Sequence, residues 1–314
     1  MIENEAGRRA AVAEPAVPLV APPGPERRSA ARWQGVRRQL DGAALVGLSL
    51  VGLFVAAALL APIVAPHDPL AQDVARRLKP PGFVDPSAGR FLLGTDGLGR
   101  DIASRLLEGA RVSLLVGLGG ATVSGVLGTA LGLTTGYFGG WWDAVVMRIV
   151  DVWQAIPFTV LAIAVAVVLG PSLEHVILVL GITSWVNYAR VVRGETLAQR
   201  GSELVLAARV VGASPARILL RHVLPQVTAS IIVITSLLVA SMILFEATLS
   251  FLGLGVQPPT PSWGNMVLDG VEPIRAAWWV SFFPGLAILA AVMGINLVGD
   301  WLRDVLDPRS SRRG

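Results

Sequence analysis

Few side chains in this sequence have the type and spacing that chemistry requires. The most conspicuous is Glu246, which stands in an otherwise apolar run at about 226–250. An ionisable group in such a run is expensive unless it is paired or hydrated. Two roles stay open for it: lining a pathway, where it would meet a cationic group of a solute, or pairing with a neighbouring arginine to fix the end of its helix. Asn296, in an apolar run at about 277–299, is expected to hydrogen-bond between helices, and both residues are candidates for gating or the pathway. His67, His175 and His222 are too dispersed to suggest a metal site, and without cysteine there are neither disulfides nor thiolate ligands. The sole lysine, Lys79, lies in a Pro-rich segment, so no Gly-x-x-x-x-Gly-Lys-Ser/Thr phosphate loop exists. No Ser/His/Asp or paired-carboxylate arrangement stands where hydrolysis can be argued. The chain is therefore read as a non-enzyme, with no catalytic, cofactor-binding or metal-binding residues of its own.

The elements that hold these residues are long and apolar. Of 314 residues 53% are hydrophobic and only 15% charged, against roughly a quarter charged in a soluble domain. Mean hydropathy is +0.63. Uncharged stretches predict six membrane-spanning helices, at about 43–65, 112–135, 148–170, 174–191, 226–250 and 277–299. Small residues recur in the second at Gly117, Ala121, Gly125, Gly128, Gly132 and Gly136, a spacing that lets helix backbones approach closely where no water drives association. Arg148 and Asp151, three residues apart, are expected to pair on one helix face.

Six spans put both termini on one side. The Arg-rich tail 1–42, the hydrophilic segment 192–222 and the end 302–314 then share the cytoplasmic face of an inner membrane, as the bias of basic residues demands. The membrane domain is 43–301. Its segment 66–111 falls outside despite six Arg and Lys79, which conflicts with that bias; six acidic residues there offer pairing. The flanking basic residues are topological, and nucleic acid is not expected as a partner.

Residues 194–225 have the pattern of two helices and a turn. A helix is predicted from about Glu195 to Val211, through Glu203, Ala207 and Ala208, with Gly212 ending it before Ala213. Ser214 can cap a second helix with Pro215 in its first turn, carrying Ile218, Leu219 and Val223 beside Arg217, Arg221 and His222. Pro225 marks entry to the fifth span. The hairpin has too few residues for its own core, so its apolar ridge packs either on a soluble partner or on its own bundle.

This segment resembles the cytoplasmic signature of permease subunits in binding-protein-dependent ABC importers. That signature is Glu-Ala-Ala, three residues, Gly, nine residues, Ile, any residue, Leu-Pro. Here it is Leu206-Ala207-Ala208, Gly212, His222 and Leu224-Pro225, with Leu206 replacing Glu and His222 replacing Ile. The resemblance continues in order through Leu93-Gly94-Thr95-Asp96, Gly99-Arg100-Asp101, Gly136-Tyr137-Phe138-Gly139-Gly140, Glu246 to Gly255, Pro261-Ser262-Trp263-Gly264 and Asn296 to Asp300. It resembles the second permease of dipeptide, oligopeptide or nickel systems. What it implies is an all-α, six-span type I importer permease fold with a cytoplasmic coupling hairpin formed by Glu203, Ala207, Ala208, Gly212, Ala213, Ser214, Pro215, Arg217, His222 and Pro225. It also implies a homologous second permease, two cytoplasmic ATPases that bind ATP and Mg, an extracytoplasmic solute-binding protein, and alternating access for di- or oligopeptides. A nickel–chelator or other small-solute permease is the alternative within this class. A passive channel or an ion-coupled carrier is the alternative outside it, disfavoured because neither internal repeats nor interrupted helices around ion sites are evident.

The topology is open to direct test, because the chain lacks cysteine. Single cysteines at Ser29, Ser202 and Ser310 should react with an impermeant thiol reagent only from the cytoplasm; reaction in intact cells at any of them rules the arrangement out.

Overall fold

The computed structural model describes residues 41–306. The surface helix expected near Trp33 to Leu40 lies outside the described residues, as do most of the tails at 1–42 and 302–314. Helix α1, Gly42–Val64, starts where the Asp41 carboxylate accepts the amide of Ala44 at 2.8 Å. The hydrophilic segment after it holds a short antiparallel ribbon, β1 (Phe83–Asp85) and β2 (Gly89–Phe91), with Phe83 opposite Phe91. Ser87 donors hold the Asp85 carboxyl down at about 2, and Arg76 Nε donates to it at 3.0 Å.

Helix α2, Ile102–Phe138, has 37 residues, about 55 Å at 1.5 Å each and well beyond a bilayer core of about 30 Å. It begins ten residues before the expected span, at about 112, because Asp101 caps it: its carboxylate accepts the Ser104 amide at 3.0 Å and hydroxyl at 2.6 Å. Helix α5, Leu173–Arg200, runs parallel to α2 and likewise continues past its expected end at 191. The two meet across the small-residue face. A Cβ on Gly132 would sit 2.8 Å from both Ala189 O and Val192 Cβ, and one on Gly136 2.6 Å from Thr196 Cβ. Only backbone hydrogens fit between these helices.

The third span is not one rod. Helices α3 (Gly140–Ala155) and α4 (Phe158–Leu169) meet at a 92° bend. Pro157 offers no N–H to continue the ladder and holds Ile156 in an extended conformation, φ −90° and ψ 126°. The interrupted helix not evident in the sequence is therefore present, although among the described residues no group of three or more His, Asp or Glu is placed to hold a metal ion. The expected Arg148–Asp151 pair is absent too: Asp151 accepts from Arg190 of α5 at 3.1 Å, and Asp143 from Arg193 at 2.5 and 2.7 Å. These tie α3 to α5 instead.

After a break at Gly201 come α6 (Glu203–Val210) and α7 (Pro215–Ile218), a π-helical turn at Leu219–Val223, and α8 (Leu224–Phe251). A short α9 (Trp263–Asp269) leads to α10 (Trp279–Leu306). Among the described residues five helices are long and apolar enough to cross a bilayer, and the bent α3–α4 pair makes six if counted as one span. The molecule is an all-α multi-spanning membrane protein.

The α2–α5 contact gives a stability test with an internal control. Gly132→Val adds three carbons where the first already collides, an overpacking cost of about 1–3 kcal/mol. Gly52→Val, in α1, meets nothing within 4 Å. Detergent thermal unfolding should fall for the first and stay near wild type for the second; equal midpoints would contradict the close contact.

Candidate functional site

Three groups of residues stand out from the apolar frame. The first is the segment from Arg200 to Pro225. The helix expected over Glu195–Val211 is broken at Gly201 and restarted by Ser202, whose hydroxyl accepts the Val205 amide at 3.4 Å. Gly212 takes φ +80°, and the Ala213 amide reaches back to Ala208 O at 3.0 Å, closing α6. Ser214 accepts the Arg217 amide at 3.4 Å and Pro215 occupies the first turn, as expected. The second helix does not end before Pro225. It passes through the π-helical turn, where the Leu224 amide bonds Leu219 O, into α8; widening the ladder before Pro225 accommodates a residue that cannot donate.

The ridge of Ile218, Leu219 and Val223 packs on the protein's own bundle. With Val205 these residues are buried against Leu133, Tyr137, Val192 and Val227. The uncovered apolar residues lie elsewhere, on α6 and at its end: Leu206 is 46% exposed, Val210 88% and Val211 86%. Glu203, Ala207, Gly212, Ser214, Pro215, Arg217 and Pro225 are exposed, while Ala208, Ala213 and His222 are half-buried. The i, i+4 spacing of Leu206 and Val210 was the signal available for this face; the alternative ridge at 218–223 has similar spacing, and burial alone separates them.

The second group surrounds Glu246, which is fully buried in α8. No arginine pairs with it, contrary to one of the two roles considered. Its Oε1 accepts from Ser250 Oγ at 2.8 Å, and Ser250 Oγ in turn accepts the Val256 amide at 3.1 Å. Gly264 lies so close that a Cβ there would stand 2.8 Å from Ala247 Cα and Ser250 Cβ. Trp263 Nε1 donates to Leu106 O of α2 at 2.9 Å. The carboxylate thus belongs to a packed junction of α2, α8 and α9. Asn296 is half-buried, and among the described residues the expected interhelical hydrogen bond is not found.

The third group was not anticipated as a unit. Asp96, at 0% exposure, accepts the Leu98 amide at 2.9 Å, the Arg100 amide at 3.0 Å, Arg100 Nε at 2.7 Å, and Arg105 Nη1. Asp269, at the end of α9, accepts from Arg100 Nη2 at 3.0 Å and Arg105 Nη1 at 3.2 Å. Trp279 Nε1 closes the array from α10 onto Thr95 O at 3.2 Å. Together with Arg76–Asp85 and Arg111–Glu108 pairs, this answers much of the charge conflict in 66–111. The Asp96–Arg100 spacing is visible in sequence; a partner 169 residues away from Arg100 is not.

A bundle of long apolar helices with one broken span, and a capped hairpin fastened to its base, is the frame of a multi-spanning membrane protein. The chain belongs to the family described as the binding-protein-dependent transport system inner membrane component, whose profile matches residues 128–312. A second profile, the N-terminal TM domain of oligopeptide transport permease C, matches residues 32–81. The chain is 44% identical to the di/tripeptide transport system permease protein of Pseudomonas aeruginosa, over 88% of this chain and 91% of that one. It is 42% identical to the glutathione transport system permease protein of Shigella boydii, over 96% and 97%. Among solved structures, an inward-facing MetNI methionine ABC transporter aligns with TM-score 0.51 at 19% identity, over 65% of this chain and 96% of that one, a likeness of fold. The protein is the permease subunit of an ABC importer in the inner membrane.

Glu246→Ala deletes the acceptor of Ser250 Oγ in a buried junction, an expected cost of about 1–3 kcal/mol. Transport of every solute should fall together, with reduced recovery of the assembled complex. Normal assembly and loss confined to cationic solutes would instead mean that Glu246 touches the solute.

Proposed function

We propose that this chain forms half of the membrane pathway of an ATP-driven importer of di- or oligopeptides. The observation that carries the substrate class is the near full-length similarity to permeases of di/tripeptide, dipeptide and glutathione systems. A homologous permease supplies the other half, two cytoplasmic ATPases bind ATP and Mg, and an extracytoplasmic binding protein delivers the solute. Segments 1–42, 192–222 and 302–314 face the cytoplasm and 66–111 faces outward. The α6–α7 hairpin is the coupling element: Glu203, Ala207, Ala208, Gly212, Ala213, Ser214, Pro215, Arg217, His222 and Pro225 shape it, and exposed Leu206, Val210 and Val211 are the apolar surface it offers an ATPase. Glu246 fixes the frame of the gate. Peptide-stimulated ATP hydrolysis by the assembled complex in proteoliposomes, with its binding protein, tests this reading; hydrolysis indifferent to every peptide overturns it.

Gly212 isolates the coupling role. A Cβ there meets nothing within 4 Å, so substitution costs only the strain of φ +80° on a branched residue, about 1–3 kcal/mol. Gly212→Val should leave membrane levels of the two permeases near normal while weakening ATPase co-purification and abolishing most transport. Wild-type recovery and wild-type transport together would make the turn a passive connector.

A further inference from the structure

The ion cluster around Asp96 opens onto a cavity of about 460 Å3 lined by Gln72, Arg100, Arg105, Gln257, Thr260 and Asn265, together with Asp269. That volume falls within the range of about 300–1,000 Å3 usual for small-molecule sites. The two carboxylates of the cluster are not equivalent, and only Asp269 lines the cavity. The Asp96 side chain is 1% exposed and engaged by two backbone amides and both guanidinium groups, so it is a permanent counter-ion. The Asp269 side chain is 38% exposed and meets both arginines through one oxygen only, Oδ2. On the donor side there is capacity to spare: Arg105 is 3% exposed, and its Nε is buried with no acceptor. A buried guanidinium N–H without a partner is a standing cost that an incoming acceptor relieves.

We propose that this cavity binds a carboxylate, which takes the place of Asp269 on the Arg100–Arg105 pair, and that the carboxylate is the C-terminus of the peptide entering from the outer side. The inference rests on the peptide-importer reading for the identity of the ligand, and on the cavity alone for its chemistry. The exchange is of one anion for another, so neither arginine is left buried without a counter-ion at any stage. Two guanidinium planes offer the paired N–H donors that carboxylates take in bidentate geometry. The displaced Asp269 carboxylate remains in the same cavity, where it can meet the ammonium end of a short peptide. Because Asp269 ends α9, and α9 is wedged through Trp263 and Gly264 against α2 and α8, its release loosens the contact between the outer segment and the junction at Glu246.

The probes are N-acetyl-alanyl-alanine, which has the carboxylate without the ammonium group, and its C-terminal amide. Binding of each to the assembled permease–ATPase complex in nanodiscs, without the solute-binding protein, is titrated by saturation-transfer NMR. The acid should bind at least about tenfold more tightly than the amide, the worth of one charge-assisted hydrogen bond. Asp269→Asn, which removes the competing charge, should tighten the acid about tenfold and leave the amide unchanged. Arg105→Gln should erase the preference; should that variant fail to fold, Asp269→Asn alone decides. Equal binding of acid and amide, or an Asp269→Asn complex with an unchanged preference, overturns the proposal. If neither probe binds while Asp269→Asn alters retention of the solute-binding protein, the carboxylate comes from that protein and the solute assignment is overturned. Peptide uptake by the wild-type complex is measured alongside. Its absence, with the acid preference intact, would remove the peptide reading and leave the carboxylate site standing.

Discussion

The rest of the structure depends on the contact between α2 and α5. Lipid tails are as apolar as leucine, so no hydrophobic force selects one helix pairing over another within the bilayer; close packing does. Gly128, Gly132 and Gly136 remove the side chains that would hold the helices apart, leaving backbone of one against side chain and backbone of the other. Once α5 is fixed to α2, it positions its own polar groups. Tyr188 hydroxyl donates to Thr235 of α8 at 2.9 Å, Trp153 of α3 donates to Thr183 O at 3.2 Å, and Arg190 and Arg193 hold α3 through Asp151 and Asp143. The bent third span, which has few buried residues of its own, is thereby hung on a rigid pair.

Charge follows a different logic in the hydrophilic segment between α1 and α2. There four of the six arginines meet carboxylates: Arg76 meets Asp73 and Asp85, Arg111 meets Glu108, and Arg100 and Arg105 share Asp96 and Asp269. Lys79 lies over the Phe83 ring at 5.4 Å. His67 stacks on Phe91 at 4.4 Å with its Nδ1 3.3 Å from Asp101. A topological rule that counts basic residues has no access to such pairing, because it depends on contacts that only the folded segment creates.

Features set by local chemistry were legible in the sequence. The caps at Ser214 and the left-handed Gly212 follow from residue types within four positions of one another, and the small-residue face of α2 follows from a repeat that needs no partner to be seen. What was not legible required knowledge of a distant surface. Asp151 chose Arg190 over its helical neighbour Arg148 because α5 brings a guanidinium to it. The ridge at Ile218, Leu219 and Val223 turned inward because Leu133, Tyr137 and Val192 were there to receive it. Pro157 is the exception: its consequence for the third span is local, and the apolar run around it masked the break.

Continuity between the two ends of the molecule is the last element. From Pro215 to Phe251 the chain is helical for 37 residues, about 55 Å at 1.5 Å per residue. It carries the hairpin turn at one end and Glu246 and Ser250 at the other, with no loop between them to absorb displacement. Its one irregular stretch, the π-helical turn at Leu219–Val223, lies at the hairpin end and is buried through Leu219 and Val223. In the proposed function, a push on Val210 and Val211 therefore reaches α8 through a packed apolar base rather than through a hinge. Its far end is tied to Val256 by Ser250 and abuts Gly264 in α9, the helix that ends at Asp269. Rigid helix, close-packed junction and exchangeable ion pair lie in series. Under the two proposals, a motion at the hairpin and the state of the Arg100–Arg105 pair are linked through these contacts.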